Sequence, residues 1–137
     1  MDPSLWGNLH DATLVEVVGS VPGSVVLTLE CQYLRQMFGD TGQNFVLHLS
    51  EYSLFAFEPF DETTISDLRA ISDLELEILS ANLGNSLEVC CTTGILRLRY
   101  GSAQVALDSG EPVSLLELDA AASTYWTQWE QRHRAAP

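Results

Sequence analysis

The sequence predicts a mainly β protein of the α+β type. We expect about seven antiparallel strands in a meander-like sandwich or open barrel, with one helix at the C-terminus. Short runs that alternate apolar and polar residues recur along the chain between clusters of turn residues, as in half-buried strands. From residue 114 onward, apolar residues lie three and four apart, which is typical of an amphipathic helix. A chain of 137 residues has the length of one domain, so residues 1–137 are taken as a single domain.

Three strands are predicted in the first part of the chain, over residues 13–18, 24–34 and 44–57. The first two are separated by residues 19–23, where one Pro and two Gly favour a loop. Another loop is predicted over residues 35–43. Glu51 interrupts the apolar phase of the third strand, so we expect a bulge or a bend near that residue.

The middle of the chain predicts one short helical element and one strand. Apolar residues recur every three positions between residues 60 and 72, which favours a short helix or a 3₁₀ turn. Residues 74–78 alternate strictly between Leu or Ile and Glu, and residues 74–79 are therefore predicted to form a strand.

A three-stranded antiparallel unit is predicted over residues 87–108, with two tight turns that each contain a Gly. Closing the chain at Gly101 and Ser102 places Leu98 opposite Val105, because Gly permits the positive φ of a two-residue turn. Closing it at residues 93–94 places Leu98 opposite Val89. Both registers put apolar residues on one face, and a slip by one residue would destroy this agreement.

The opposite face of this unit is predicted to be acidic. The register places Glu88 opposite Arg99, and pairing of strand 74–79 with this unit adds Glu75 and Glu77 to the same solvent-exposed face. We interpret Arg97 and Arg99 as counter-charges to these glutamates in preference to a substrate-binding pair.

The C-terminal helix is predicted to begin after Ser114. Ser114 and Glu117 have the spacing of a capping box, in which each side chain accepts a hydrogen bond from the other residue's backbone N–H. An apolar stripe follows, made of Leu115, Leu118, Ala122, Tyr125 and Trp129. Its expected use is to cover an open face of the sheet, and a homodimer contact is the alternative.

The charge of the chain restricts its partners. Nineteen acidic residues against six basic residues, all of them Arg, give a net charge of −13. Such a chain is repelled by phosphate backbones and anionic lipid, so we expect neither nucleic-acid nor membrane binding. A basic protein partner would be attracted, whereas the simpler interpretation of the acidity is solubility alone.

The cysteines and the termini predict a reduced, cytoplasmic protein. Cys31, Cys90 and Cys91 have no Cys-x-x-Cys spacing, and adjacent strand residues point to opposite faces, so neither a metal site nor a disulfide framework is predicted. Cys91 is expected to be a small buried thiol. The N-terminus lacks the pattern of a signal peptide, and no apolar run is long enough to span a bilayer.

The only candidates for a polar site are His10, Asp11 and His48. An imidazole beside a carboxylate has the composition of a general base or a metal ligand. Residues adjacent on a strand usually diverge, however, so a structural role for His10 and Asp11 is the competing interpretation. No nucleophile, phosphate-loop or metal-ligand motif is present, so we assign no catalytic residue, cofactor or metal, and the sequence favours a non-enzymatic protein while leaving an enzyme open.

The arrangement of a few sequence features resembles a group of small bacterial β-sheet domains of uncharacterised function. These features are an N-terminal Leu-His-Asp-Ala at residues 9–12, the apolar strand series that includes residues 76–80, and the aromatic cluster at residues 125–129. Some similar domains are found among putative immunity proteins of toxin systems. The resemblance implies an antiparallel β fold with a C-terminal helix, but no catalytic residues.

Two functions remain open from the sequence. The first is a non-enzymatic, immunity-like protein that binds a basic protein partner through an acidic face containing Glu75, Glu77 and Glu88. The alternative is a small enzyme or ligand-binding domain with a pocket near the two histidines, His10 and His48, and Asp11.

Overall fold

The computed structural model describes residues 1–20, 23–39 and 41–134, and these residues form nine strands and four α-helices. The strands are β1 (Thr13–Ser20), β2 (Ser24–Glu30), β3 (Asn44–Ser50), β4 (Leu54–Pro59), β5 (Ile78–Leu83), β6 (Leu87–Cys91), β7 (Gly94–Arg99), β8 (Ser102–Leu107) and β9 (Pro112–Val113). The helices are α1 (Pro3–Gly7), α2 (Gln32–Arg35), α3 (Leu68–Asp73) and α4 (Leu115–Arg134), and a 3₁₀ turn (Gln36–Phe38) follows α2. Residues 21, 22 and 40, which belong to the two predicted loops, lie outside the described residues.

The strands form two antiparallel sheets, which confirms the predicted mainly β class. The first sheet has the order β1-β2-β3-β8-β9 and the second has the order β4-β7-β6-β5. Alternate residues of both sheets point inward and contribute to a single hydrophobic core, as in a sandwich. Within the described ranges the two sheets do not close into a barrel.

The two sheets are joined at one corner by backbone hydrogen bonds. The N–H of Asp11 donates to the carbonyl of Ile78 at 2.8 Å, and the N–H of Leu14 donates to the carbonyl of Leu76 at 2.7 Å. Between these bonds, Thr13 and Glu77 form an isolated antiparallel bridge. The start of β1 therefore continues the edge of the second sheet before it enters the first.

The predicted hairpin between the last two long strands is wrong, because β7 and β8 belong to different sheets. Leu98 lies opposite Leu87 and Phe55 and not opposite Val105. At Gly101 the chain passes from the second sheet to the first, and its N–H donates to the carbonyl of Ser50 at 2.9 Å. The inward orientation of Leu98 is nevertheless correct, because the period of two holds whichever strand lies alongside.

The bend predicted near Glu51 lies beside this crossing. Glu51 has a left-handed backbone with φ of 57°, and β3 ends immediately before it. After the bend the chain enters the second sheet as β4, so the predicted long strand is two strands in different sheets. The N–H of Ser53 donates to the carbonyl of Arg99 at 2.9 Å, which ties the two crossings to each other.

The turn between β6 and β7 is made by Thr92 and Thr93, one residue before the predicted turn at residues 93–94. Cys91 lies opposite Gly94, and Glu88 consequently lies opposite Arg97 and not opposite Arg99. Each residue of β6 thus pairs two positions earlier on β7 than predicted. A shift of two positions leaves every side chain on its face, so the buried face was assigned correctly. Gly94 is required by close packing, since a side chain there would collide with the backbone of β4.

The chain between β4 and β6 differs most from the prediction. Helix α3 occupies only the second half of the predicted helical stretch and begins after Asp67, whose side chain accepts a hydrogen bond from the N–H of Arg69 at 3.4 Å. Glu75 follows the helix with φ of 49°, which is the left-handed conformation common after a helix end. The strand predicted over residues 74–79 therefore begins only at Ile78 and continues to Leu83.

Helix α4 begins as predicted. The N–H of Glu117 donates to Oγ of Ser114 and the N–H of Ser114 donates to Oε1 of Glu117, both at 3.1 Å, which confirms the capping box. Leu118 and Ala122 are buried. The helix contacts α1, α2 and the 3₁₀ turn. No helix in the described part of the chain is both long and apolar enough to cross a membrane.

Candidate functional site

His10 and Asp11 lie in the loop between α1 and β1, beside the start of β5. The carbonyl of Leu79 accepts a hydrogen bond from Nδ1 of His10 at 2.7 Å. The other ring nitrogen, Nε2, lies 3.4 Å from Oδ1 of Asp11. In a histidine that acts as a general base, a partner holds one nitrogen and the other faces the substrate. Here both nitrogens already face oxygen atoms of the protein.

The contacts around His10 position the second half of α4. The hydroxyl of Tyr33 donates to the carbonyl of His10 at 2.5 Å, and the ring of Tyr33 lies 4.5 Å from that of Tyr125. The ring of His10 lies 6.2 Å from that of Trp126. These contacts give His10 and Tyr33 a structural role in holding α4 against the sandwich.

The structure places His48 on a different part of the molecule from His10. His48 is central in β3, on the outer face of the first sheet, between Val26 of β2 and Gln104 of β8. Its Nε2 is buried and has no hydrogen-bond partner among the described residues. The contacts of His10 involve Asp11, Leu79 and α4, so His48 does not join this constellation.

The buried thiols are poorly suited to nucleophilic chemistry. Burial raises the pKa of Cys31 to about 11 and that of Cys91 to about 12. Both thiols therefore remain protonated near neutral pH, whereas the thiolate is the reactive form. The prediction that Cys91 is a small buried thiol is confirmed, since only 2% of its surface is exposed.

The predicted acidic face is distributed over three different local structures. Glu88 lies on β6 and accepts a hydrogen bond from Nη1 of Arg97 at 2.8 Å. Glu58 of β4 accepts from Nε of the same arginine, also at 2.8 Å. Glu77 lies in the bridge to β1, and Glu75 is exposed after α3. The counter-charge role is therefore filled by Arg97, whereas Nε of Arg99 donates to the carbonyl of Asn85.

A groove of about 470 Å³ lies where β4, α3 and the turn between β6 and β7 meet. We call it the β4–α3 groove. Phe57, Phe60, Ile65 and Leu74 supply its apolar side chains, and Asp61 and Glu62 lie beside them. Phe60 is 67% exposed and Leu74 is 45% exposed, which is high for such large apolar side chains. No Arg or His is among the described residues that line it.

The groove could not be located from the sequence. The sequence offers Phe60 followed by two acidic residues, whereas Leu74 belongs to the strand predicted over residues 74–79. The isolated bridge between Phe57 of β4 and Ile65 shapes the groove, and no local sequence pattern predicts this contact. The same stretch was the most ambiguous part of the secondary-structure prediction.

The described residues contain no group of three or more His, Cys, Asp or Glu side chains arranged to hold a metal ion. The chain matches no model of a known protein family, no curated protein and no solved structure. The resemblance to small bacterial domains thus remains an expectation from the sequence.

Proposed function

We propose that this protein is a non-enzymatic binding protein that recruits a basic protein partner through its acidic surface, in the manner of immunity proteins. The observation that carries this proposal is the net charge of −13, together with the way the structure uses its few arginines. Fields of this kind steer a basic partner toward the encounter and raise the association rate.

The arginines leave much of the surface without positive charge. Arg35 is buried and pairs with Asp108, with 2.7 Å between Nη2 and Oδ1. Arg97 is shared by two glutamates, and Arg134 forms an ion pair with Glu130. These three arginines are therefore largely cancelled by four carboxylates, and fifteen further acidic residues stand against the remaining three arginines.

The alternative of a small enzyme or ligand-binding domain receives less support. It requires His10, Asp11 and His48 to converge, but the contacts of His10 are with the protein itself and His48 lies on an outer sheet face. We therefore retain the binding protein as the proposed function.

The association rate with a purified partner tests this proposal. The partner is first captured from cells of the source organism and then purified, and its binding is followed by stopped-flow fluorescence at increasing salt concentration. We expect the association rate to fall steeply with salt, because the screening length is about 8 Å at physiological ionic strength. The dissociation rate should change much less.

The double variant His10→Ala/His48→Ala is the matched control for the enzymatic alternative. If its fold is intact by circular dichroism, it should bind the partner at the wild-type rate. Association that does not depend on salt would contradict the proposal. So would an activity that these two substitutions abolish in a folded protein.

A further inference from the structure

We propose that the β4–α3 groove is the docking site for a basic segment of the partner that carries an apolar anchor side chain. This inference rests on the proposed function and deepens it, because it names the surface and the chemistry of the segment that binds there.

The apolar part of the groove provides the place for an anchor. Phe60 lies directly after β4, where its N–H donates to the carbonyl of Thr93 at 3.3 Å. Leu74 ends α3 on the other side of the groove, and its N–H donates to the carbonyl of Ile71 at 3.1 Å. Both side chains are thus exposed, and the backbone that carries them is held in place by hydrogen bonds. An apolar side chain placed between them would remove this surface from water, which is favourable.

The polar surroundings of the groove select the charge of the segment. Asp61 and Glu62 line the groove, and Asp73 and Glu75 are exposed on either side of Leu74. Between residues 58 and 77 there are seven acidic residues and one arginine, Arg69. A segment in which Arg or Lys flanks an apolar anchor would therefore match both the apolar groove and the acidic residues around it.

A second copy of this chain is a poorer occupant. Each copy carries a charge of −13, and the groove of one copy would approach a partner that is itself strongly acidic. Like-charge contacts of this kind are unfavourable. Charge complementarity therefore selects a basic partner over a homodimer at this surface.

The exposed rings of α4 are the competing apolar surface. Trp126 and Trp129 are each more than a third exposed, and the ring of Trp129 stacks on that of His133 at 3.8 Å. Arg132 and Arg134 lie in the same last turn. Residues 125–134 contain two arginines and one acid, Glu130, which pairs with Arg134, so charge complementarity to a basic segment is weaker there.

Residue-resolved titration with defined peptides tests the inference. Isotope-labelled protein is titrated with a short synthetic peptide in which arginines flank a Leu-Phe anchor, and the amide shifts are followed by nuclear magnetic resonance. A second peptide has serines in place of the anchor. We expect the largest shifts at Phe60, Leu74 and the turn residues Thr92 and Thr93, and weaker binding of the serine peptide.

Variants separate the apolar contribution from the acidic one. Phe60→Ser/Leu74→Ser should weaken peptide binding about tenfold or more, as expected for central anchor contacts. Its control is Leu83→Ser/Leu116→Ser, which removes two other exposed leucines and should leave binding unchanged.

Asp61→Asn/Glu62→Gln should also weaken binding severalfold. Its control is Glu16→Gln/Glu30→Gln, which changes the net charge equally on exposed positions of the first sheet. Equal effects of these two pairs would overturn the inference, because global charge alone would then explain binding.

Shifts confined to α4, or equal binding of both peptides, would likewise overturn the groove as the docking site. These outcomes leave the proposed function standing, since that is tested separately by the salt dependence of association with the purified partner.

Discussion

Two arginines in this protein pair with carboxylates in very different surroundings. Arg35 is fully buried and binds Asp108, whereas the side chain of Arg97 is 32% exposed and is shared by Glu58 and Glu88. A buried charge that loses its counter-charge is strongly destabilising, whereas exposed ion pairs contribute little to stability. The comparison indicates that one arginine maintains the fold and the other modifies the surface charge.

The buried pair connects segments that are far apart in the sequence. Asp108 follows β8, and its Oδ2 accepts hydrogen bonds from the N–H groups of Gln43 and Asn44 at 3.0 and 3.1 Å. Nε of Arg35 donates to Oδ1 of Asp108 at 3.1 Å and to the carbonyl of Asn44 at 3.2 Å. The pair thus ties α2 and the entry of β3 to the end of β8.

The largest expected effect is that of Asp108→Ala. This substitution removes the carboxylate that faces a fully buried guanidinium and also removes the acceptor for two backbone N–H groups. We expect the free energy of unfolding to fall by about 3–5 kcal/mol, measured by denaturant unfolding. The matched exposed variant is Glu88→Ala. If both variants lost the same stability, the distinction between the two arginines would be wrong.

The same pair should make stability depend on pH in the acid range. Hydrogen bonds from the backbone of Gln43 and from Arg35 lower the pKa of Asp108 from 3.8 to about 2. A group with a lowered pKa stabilises the fold above its unfolded-state value and loses this contribution as pH falls through the folded-state value. The difference in unfolding free energy between wild type and Asp108→Asn should therefore shrink from pH 4 to pH 2. A constant difference over this range would contradict the assignment.

A smaller loss is expected from Gly42→Ala. A side chain at Gly42 would collide with the guanidinium of Arg35 and with Oδ1 of Asp108, and Arg35 cannot move into solvent. Overpacking of this kind typically costs about 1–3 kcal/mol. The control is Gly7→Ala, where no atom lies within 4 Å of the added carbon. Thermal unfolding of the two variants separates them, and equal midpoints would refute the proposed collision.

Arg97→Ala should have the smallest effect on stability, at most about 1 kcal/mol, because its ion pairs are exposed. Denaturant unfolding measures this value. A loss comparable to that of Asp108→Ala would mean that the network of Arg97 with Glu58 and Glu88 is part of the core architecture.

The sequence predicted the structural features that depend on residues close together in the chain. It missed those that depend on contacts between residues far apart in the chain. The alternation around Leu98 assigned its buried face, and the capping box at Ser114 located the start of α4, since both are local patterns. The partner of β7 was wrong because Gly101 permits a hairpin and a crossing between sheets equally well. Arg35 and Asp108 lie 73 positions apart, and the sequence contains no signal that joins them.

The candidate site shows the same limit. The sequence identified the acidity, and it identified His10 and Asp11 as neighbours, but it could not show that both nitrogens of His10 face the protein. The β4–α3 groove depends on how Phe60 and Leu74 are brought to the same surface by β4 and α3. No periodicity encodes this juxtaposition.

The central claim is that an acidic surface recruits a basic partner. Its most direct test is the rate at which the Arg97→Ala variant associates with the purified partner at low salt. Removing Arg97 frees the charges of Glu58 and Glu88 while the fold is retained, so the field that attracts a basic partner becomes stronger. We predict a severalfold faster association than wild type, and the increase should vanish at high salt. An unchanged or slower association in the folded variant would contradict the account.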